Sequence, residues 1–161
     1  MGQKGIHKLV YGMYLLTTRE GSQDFGCIVN TVMQVSSKPT RIAVCVVKSN
    51  LTHDALQRAG TLNLCALTED VPYTLVHRFG MKSARKTDKF ADISAFSRGF
   101  NGILYLTHYS NMYLSAQVTE QVDLGDHTLF IAEILEDAVL SDKVSCTYDH
   151  FLQYIASKKH D

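Results

Sequence analysis

The chain contains 161 residues, 45% of them hydrophobic, and we expect one compact domain over residues 1–161 with its own core. Sixteen basic residues balance sixteen acidic ones, and this zero net charge argues against nucleic acid or an anionic membrane as the partner. The four cysteines form no Cys-x-x-Cys pair, which argues against a zinc site or a dithiol centre and is typical of free thiols in a reduced cytoplasm.

The first apolar run, residues 9–16, follows Lys4 and Lys8 and faintly resembles a secretory signal. It ends in the polar residues 17–20 without a small-x-small cleavage motif, and it is too short to span a bilayer. We therefore predict a first strand over residues 10–18.

Several later runs combine apolar, often β-branched residues with turn chemistry at their ends, as strands do. The predicted strands are residues 27–35, 42–47, 62–67, 113–122 and 128–135, and residues 145–148 are a further candidate. The strand 113–122 alternates, and the apolar residues on one face are Leu114, Ala116, Val118 and Val122. The strand 128–135 is apolar on both faces, which predicts a central position in the sheet.

Two short helices are predicted between these strands. Residues 52–59 begin with Thr52, a suitable N-cap, and stop before Gly60. Residues 71–79 carry Pro72 in the first turn and are followed by Gly80. Many strands, few helices and no regular alternation of strand and helix predict a mainly β fold, and a barrel rather than a Rossmann sheet.

Familiar catalytic and nucleotide-binding motifs are absent from the sequence. It has no Gly-x-Gly-x-x-Gly, no Walker loop and no His-Glu-x-x-His, and its seven histidines lack the spacing of metal ligands. Ser83 and Lys86 match Ser-x-x-Lys, but so short a pattern is expected by chance and lies in a polar loop. Acid–base, nucleophilic and metal catalysis therefore have little support.

Three polar clusters remain that could serve a planar, anionic ligand. The first is residues 27–36, where Asn30, Thr31 and Gln34 interrupt an apolar strand. Such a strand offers an apolar wall together with donors and acceptors for an amide-edged heterocycle. Composition alone favours the other interpretation, a barrel strand with one wet face.

The other two clusters are candidate anion sites. Residues 48–52 lie between an apolar strand and a helix N-terminus, where a lysine, hydroxyls and free N–H groups favour phosphate, although plain capping by Thr52 explains them equally well. Residues 82–90 carry four cations, so this segment is either an anion site or, as composition favours, a solvated loop.

Taken in order, these clusters resemble the flavin reductase-like family of FMN-binding split barrels, over about residues 11–148. The segments that carry the resemblance are Gly26-x3-Asn30-Thr31-Val32-x-Gln34-Val35-Ser36-x2-Pro39, Val44-Cys45-Val46-x-Lys48-x-Asn50-x-Thr52-His53, Arg78-Phe79-Gly80-x-Lys82-Ser83-x-Arg85-x2-Asp88-Lys89-Phe90 and Gly125-Asp126-His127-Thr128-Leu129-Phe130-Ile131-x-Glu133. Each segment is weak alone, and their joint order and spacing are specific. Within the family, the chain most resembles the anaerobe-type flavin reductase domains, including those fused to rubredoxin.

The resemblance implies a mainly β, Greek-key split β-barrel with a few short helices that binds FMN. The residues that it assigns to the isoalloxazine and its surroundings are Asn30, Thr31, Val32, Gln34, Val35 and Cys45. The residues that it assigns to the ribityl-phosphate are Lys48, Ser49, Asn50 and Thr52, with added cations from Lys82, Arg85 and Lys89. It places His127 near the nicotinamide as the catalytic residue, and the alternative is a hairpin histidine of no chemical role.

The resemblance also implies an oxidoreductase that passes a hydride from NADH or NADPH to FMN and works as a homodimer with the flavin at the subunit interface. Because no Cys-x-x-Cys pair is present, we expect the electrons to leave to a separate acceptor such as a rubredoxin. Residues 97–106, which often border the flavin, depart from the family's Gly-x-Pro pattern. Two alternatives stay open: a flavoredoxin-like FMN electron carrier that exchanges electrons with a protein partner, and a non-redox phosphate-binding or structural domain.

Overall fold

The computed structural model describes residues 2, 4–80, 88–91 and 94–159. Strands predominate within those residues, and a short 3₁₀ helix lies at Gly5–Lys8. The strands are β1 (Tyr14–Glu20), β2 (Gln23–Val29), β3 (Val32–Ser37), β4 (Thr40–Val47), β5 (Thr61–Leu67), β6 (Phe96–Arg98), β7 (Leu104–Leu106), β8 (Ser110–Asp123) and β9 (His127–Val139). The α-helices are α1 (Leu51–Ala59), α2 (Tyr73–Gly80) and α3 (Tyr148–Lys158).

Seven strands form one antiparallel sheet in the order β2-β1-β5-β8-β9-β4-β3, and β6 pairs with β7 apart from it. The two edge strands, β2 and β3, are joined by only Asn30 and Thr31. Side chains of β2 and β4 share one core, and the Cys45 N–H donates to the Thr31 carbonyl at 3.2 Å. The sheet therefore curls until its two edge strands meet. It forms a barrel that is open along one seam, where β2 and β3 do not pair as strands.

Two hydrophobic clusters lie on opposite faces of the central strands. Leu16 of β1 and Leu64 of β5 point into the barrel, where Phe130 and Leu56 of α1 join them. Their sequence neighbours Leu15 and Cys65 point outwards and pack under α2 and α3. Because successive strand residues face opposite sides, β1 and β5 are buried on both faces and can read as continuous apolar runs.

The helix α1 starts one residue earlier than predicted and has a different cap. Asn50 is extended at φ −87°, and its side chain accepts a hydrogen bond from the Thr52 N–H at 2.9 Å. The prediction of Thr52 as N-cap is therefore wrong. The end at Gly60 is confirmed, with φ at +73° in the left-handed region that favours glycine.

Two predicted strands do not form as expected. The run 27–35 is two strands, because β2 pairs with β1 while β3 pairs with β4 on the other side of the seam. Residues 145–148 make only isolated bridges, from Ser145 to Thr68 and from Thr147 to Gly12. The hydroxyl of Thr147 then accepts from the His150 N–H at 3.1 Å and caps α3, a helix that the sequence analysis missed.

The long hairpin of β8 and β9 confirms the predicted central position of the strand 128–135, since β9 lies between β8 and β4. Bulges at Ser115/Ala116 and Val118/Glu120 interrupt the predicted alternation of β8, and Val122 is exposed. In the described part of the chain, none of the helices has the length and hydropathy that a membrane crossing requires.

Candidate functional site

A cleft of about 220 Å³ opens where the chain passes from β2 to β3. We call it the strand-break cleft, and its lining residues are Met13, Ile28, Val29, Asn30, Thr31, Cys45, His127 and Tyr148. The residues of β4 and β9 reach it from the outer face of the barrel, because Cys45 pairs with Leu129, and Val47 with His127, on the face opposite the core. The volume lies below the roughly 300–1,000 Å³ of pockets that enclose a whole small ligand.

The main chain at Asn30 and Thr31 is open because the strands on either side pair with different partners. Among the described residues, the bond from the Cys45 N–H to the Thr31 carbonyl is the only main-chain hydrogen bond at these two positions. The Thr31 hydroxyl donates to the Asn30 side-chain oxygen at 3.2 Å. Thr31 is exposed and Asn30 half-buried, so the N–H groups of both residues and the Asn30 carbonyl are open to solvent or to a ligand.

The charged groups beside the cleft belong to the turn between β8 and β9. The Asp126 carboxylate lies 2.9 Å from His127 Nδ1, and this hydrogen bond lowers the pKa of Asp126. The Lys48 ammonium donates to Asp123 at 2.6 Å and lowers the pKa of that carboxyl. The Lys48 N–H also donates to the Asp126 carbonyl at 2.9 Å. Lys48 is therefore held against the turn that carries His127.

The predicted phosphate segment presents only part of its polar groups to the surface. Ser49 is exposed and Lys48 half-buried, whereas Asn50 is used as the cap of α1. Thr52 is fully buried, and its hydroxyl has no conventional hydrogen-bond partner among the described residues. The hydroxyl lies near the Cys27 thiol and acts to lower the pKa of that thiol. Lys48 and Ser49 are therefore the accessible donors of this segment.

A buried lysine, Lys89, lies between β2 and the end of α2. The Lys89 ammonium donates to the carbonyls of Gly26 at 3.1 Å and of Phe79 at 3.4 Å, and burial lowers its pKa. Burial also raises the pKa of Cys27 to about 11, although Lys89 and the Thr52 hydroxyl oppose that shift. Two of the three ammonium hydrogens of Lys89 are thus committed to the main chain. Lys82 and Arg85, the other predicted cations, lie outside the described residues.

The structure does not bring all predicted flavin residues into one cavity. Asn30, Thr31, Cys45 and His127 share the strand-break cleft, but Val32 and Gln34 face a second cavity of about 500 Å³. That cavity opens where β9 extends beyond Glu133, its last residue paired with β4. Val35 is exposed at the bulge of β3. The split follows from position along the chain, because Asn30 and Thr31 lie at the break beside Cys45, whereas β3 continues along β4 towards Ile42, which lines the second cavity.

Four residues that line the cleft were not predicted: Met13, Ile28, Val29 and Tyr148. Ile28 and Val29 belong to the apolar run that precedes Asn30, so their part in the wall is readable once a ligand is placed there. Met13 and Tyr148 meet only because Gly12 forms a bridge with Thr147. No local signal in the sequence predicts that contact.

Residues 99–104 lie away from the cleft, on a group of buried polar side chains that we call the Asn63 network. Its members are Asn63, Thr17, Asn101 and Ser115. The Asn63 amide donates to the Ile103 carbonyl at 3.0 Å, and its oxygen accepts from Asn101 and Ser115 at 2.9 and 2.6 Å. The segment that departs from the family pattern is therefore fixed to β5 and β8, and it does not line the strand-break cleft.

Comparison with known proteins gives a family match over most of the chain. The sequence model described as "Flavin reductase like domain" matches residues 6–154. The match includes every residue of the strand-break cleft.

Two curated relatives align along nearly the whole chain. A high molecular weight rubredoxin of Moorella thermoacetica is 37% identical over 153 residues, which are 95% of this chain and 66% of that protein. A ferric-chelate reductase (NAD(P)H) of Archaeoglobus fulgidus is 33% identical over 148 residues, covering 92% of this chain and 87% of that one. The chain thus spans just under two thirds of the first relative and most of the second.

Solved structures confirm the predicted fold class. An FMN-binding protein of Thermus thermophilus superposes with a TM-score of 0.77 over 86% of this chain and 77% of its own length. At 19% sequence identity, this likeness shows a shared fold.

Proposed function

We propose that this chain, which belongs to the flavin reductase-like domain family, oxidises NADH or NADPH, reduces an FMN held in the strand-break cleft and passes the electrons to a separate acceptor. The observation that carries the proposal is the open main chain of Asn30 and Thr31 beside an apolar wall. A flavin ring requires this combination, because one edge carries amide-like donors and acceptors while its faces are apolar.

The residues of the cleft fit such a group. The unpaired N–H groups of Asn30 and Thr31 would donate to the ring edge, and the Asn30 carbonyl would accept from it. Val29, Ile28 and Met13 would exclude water from the covered face. When bound, FMN would supply the hydride and electron chemistry itself, which accounts for the absence of classical catalytic motifs in the sequence.

The hairpin and the start of α1 would serve the charged parts of the ligands. Lys48 and the Ser49 hydroxyl are the accessible donors for a phosphate, and the buried Lys89 would add positive charge from the interior. Asn50 and Thr52 would support this segment rather than contact the ligand, since one caps α1 and the other is buried. His127 would bind the nicotinamide, with Asp126 fixing its Nδ1–H.

We further propose a homodimer formed through the outer face of β3 and β4. Met33 and Val47 are 65% and 37% exposed there, next to Cys45 and His127 of the cleft. A second subunit on this face would cover apolar strand surface and enlarge a cleft that is small for a whole flavin. Met33→Asp should therefore give a monomer by light scattering and weaken FMN binding, whereas an aspartate at the exposed Phe100 should change neither.

The name of the Moorella relative supports an electron-transfer partner of the rubredoxin class, and the name of the Archaeoglobus relative supports NAD(P)H as reductant. We propose that residues 1–161 act as one flavin-binding domain and that its four cysteines, all free thiols, work in a reduced cytoplasm. The same partner would suit an electron carrier, so the experiment must separate the two functions.

The test is the visible spectrum of the purified protein with FMN under anaerobic conditions, followed by NADH and then NADPH. A bound-flavin spectrum that bleaches with either nucleotide supports the reductase and identifies the reductant. A bound-flavin spectrum that persists with both nucleotides contradicts the reductase and favours the carrier. A spectrum of free flavin contradicts flavin binding. The same titration with FAD shows whether the protein prefers FMN.

A further inference from the structure

A buried histidine links the start of α1 to the start of β9. His53 lies in the first turn of α1, is 3% exposed, and has its ring centroid 5.7 Å from that of Phe130. Its Nε2 lies 2.7 Å from Oγ1 of Thr128, and its Nδ1 lies 2.8 Å from Oδ1 of Asp54. Thr128 is buried and directly follows His127, which lines the strand-break cleft.

The partners of His53 fix where the ring carries its proton. An ionised carboxylate only accepts hydrogen bonds, so Nδ1–H of His53 donates to Asp54. In that tautomer Nε2 accepts from the Thr128 hydroxyl, and both nitrogens are satisfied. Breaking the buried bond would leave a polar group unpaired inside the protein, so the bond holds its two elements in one geometry.

Other links also hold the hairpin. Val47 of β4 pairs with His127 in the sheet, and at the surface the Gln57 amide of α1 donates to Gln121 of β8 at 3.1 Å. Two more links come from Lys48, in the loop before α1. The Lys48 N–H donates to the Asp126 carbonyl, and the Lys48 ammonium pairs with Asp123 while 37% and 76% of the two side chains are exposed. Exposed ion pairs hold their partners weakly. Among these links between described residues, the bond between His53 and Thr128 is the buried side-chain link from α1 itself to the hairpin.

We infer that His53 is a positioning residue for the reductase reaction: through Thr128 it holds His127 in place relative to the N-terminus of α1. The inference rests on the proposed function, because it concerns the separation of the nicotinamide contact from the phosphate contact. His53 itself lines neither place. Loss of its bond to Thr128 removes the buried tie between α1 and β9. His127 can then shift relative to α1, while its pairing with Val47 and the main chain of Asn30 and Thr31 stay as they are.

The kinetic test uses Thr128→Val, which keeps the shape of the side chain and removes the hydroxyl. We expect the KM for the nicotinamide nucleotide to rise at least fivefold, with the Kd for FMN within twofold of wild type. Thr128→Ser, which keeps the hydroxyl, should restore the wild-type KM. The matched control is Thr119→Val, at an exposed threonine of the same hairpin whose hydroxyl donates to the Ile131 carbonyl at 3.2 Å, and it should behave as wild type.

A second readout needs no flavin. In the ¹⁵N spectrum of the flavin-free protein, His53 should show the Nδ1–H tautomer, and Thr128→Val should move the ring resonances of His127 while Thr119→Val does not. If Thr128→Val fails to fold, Asp54→Leu provides a second test, because it removes the acceptor of Nδ1–H at a side chain that is 45% exposed. That variant should move the His127 resonances by a smaller amount.

The inference is overturned if Thr128→Val leaves both the KM and the His127 resonances unchanged, or if His53 carries its proton on Nε2. These results would leave the reductase function standing, because wild type would still reduce FMN. The opposite pattern is a wild-type protein that ignores nicotinamide nucleotides while Thr128→Val still moves His127. That pattern would contradict the proposed function and support the link from His53 through Thr128 to His127.

Discussion

In the Asn63 network, a fully buried asparagine side chain has partners for both its nitrogen and its oxygen, and residues 99–104 are fixed in the process. In the strand-break cleft, a few strands away, the main chain of Asn30 and Thr31 has a single main-chain partner among the described residues. In both regions polar residues interrupt an apolar run, so the two sequence patterns look alike. The difference is that one region satisfies its polar groups internally, whereas the other leaves them open to solvent, where we propose that the ligand binds.

The comparison separates a structural role from a functional one. Removing a polar group from the Asn63 network should cost stability and leave ligand binding alone. Changing the strand-break cleft should cost ligand binding and leave stability alone. Each prediction below tests one side of that separation.

The largest effect is expected for Asn63→Ala. It leaves the Ile103 carbonyl, the Asn101 amide and the Ser115 hydroxyl without their buried partner, and one such loss costs about 1–3 kcal/mol. We expect the free energy of unfolding in urea to fall by about 3 kcal/mol. Gln117→Ala, at an exposed position of the neighbouring strand, is the control. Loss of FMN affinity in folded Asn63→Ala would contradict the separation of the two regions.

Cys45→Phe should act in the opposite way. The larger side chain fills the cleft from β4, where Cys45 is half-buried, so the surrounding core is little disturbed. We expect FMN affinity, measured by quenching of flavin fluorescence, to fall about 30-fold, or about 2 kcal/mol, with the urea midpoint nearly unchanged. Cys45→Ala removes the thiol without filling the cleft and should bind FMN like wild type. Equal FMN affinity of the Phe variant and wild type would place the flavin elsewhere.

The buried thiol of Cys27 predicts that the protein becomes less stable at high pH. Burial raises the pKa of Cys27 from 9.0 to about 11, so the folded state keeps the thiol protonated while the unfolded state loses the proton. The stabilisation from this group is complete below pH 9 and is lost as the pH rises through about 11.

The free energy of unfolding is measured between pH 8 and 11 for wild type and for Cys27→Ala, and the value of the variant is subtracted from that of wild type. The subtraction removes the opposite contribution of Lys89, whose pKa burial lowers. The difference should fall by roughly 2 kcal/mol across that range. If this difference in the free energy of unfolding does not change with pH, the Cys27 thiol is not buried away from solvent as the structure places it.

The smallest effects are expected at the exposed pair of Lys48 and Asp123. Lys48→Gln should weaken FMN binding by about fivefold because one cation is lost from the phosphate side. Asp123→Asn should strengthen it by about threefold, since the carboxylate no longer competes for the ammonium group. Both changes should shrink at high salt. Titration calorimetry at two salt concentrations measures them, and a change in the same direction for both variants would contradict this account of the pair.

The fold was largely readable from the sequence, because apolar runs bounded by turn residues mark strands whatever their partners are. The break at Asn30 and Thr31 was not readable as a break, since it depends on β2 and β3 pairing on opposite sides of the seam. The helix α3 carries a local signal that was available: Thr147 as cap, with Phe151 and Ile155 four residues apart.

Half of the residues that line the candidate site could be predicted from the sequence. Asn30, Thr31, Cys45 and His127 carry the family pattern and share the cleft. Met13 and Tyr148 enter it through a contact between the two ends of the chain, which no local pattern encodes. Thr52 and Lys89 are polar in sequence but buried in the structure, where Lys89 donates to main-chain carbonyls and the Thr52 hydroxyl is enclosed near a thiol. Burial of a polar residue depends on the whole fold, so residue type alone could not assign their roles.

The central claim is that FMN binds at the open main chain between β2 and β3. The most direct test is a titration of the ¹⁵N-labelled protein with FMN, followed through its amide resonances. The account predicts that the Asn30 and Thr31 amides shift most, with His127 following and Asn63 unmoved. Shifts confined to residues around Gln34 and Leu114, in the larger cavity, would contradict it, and so would a spectrum that FMN leaves unchanged.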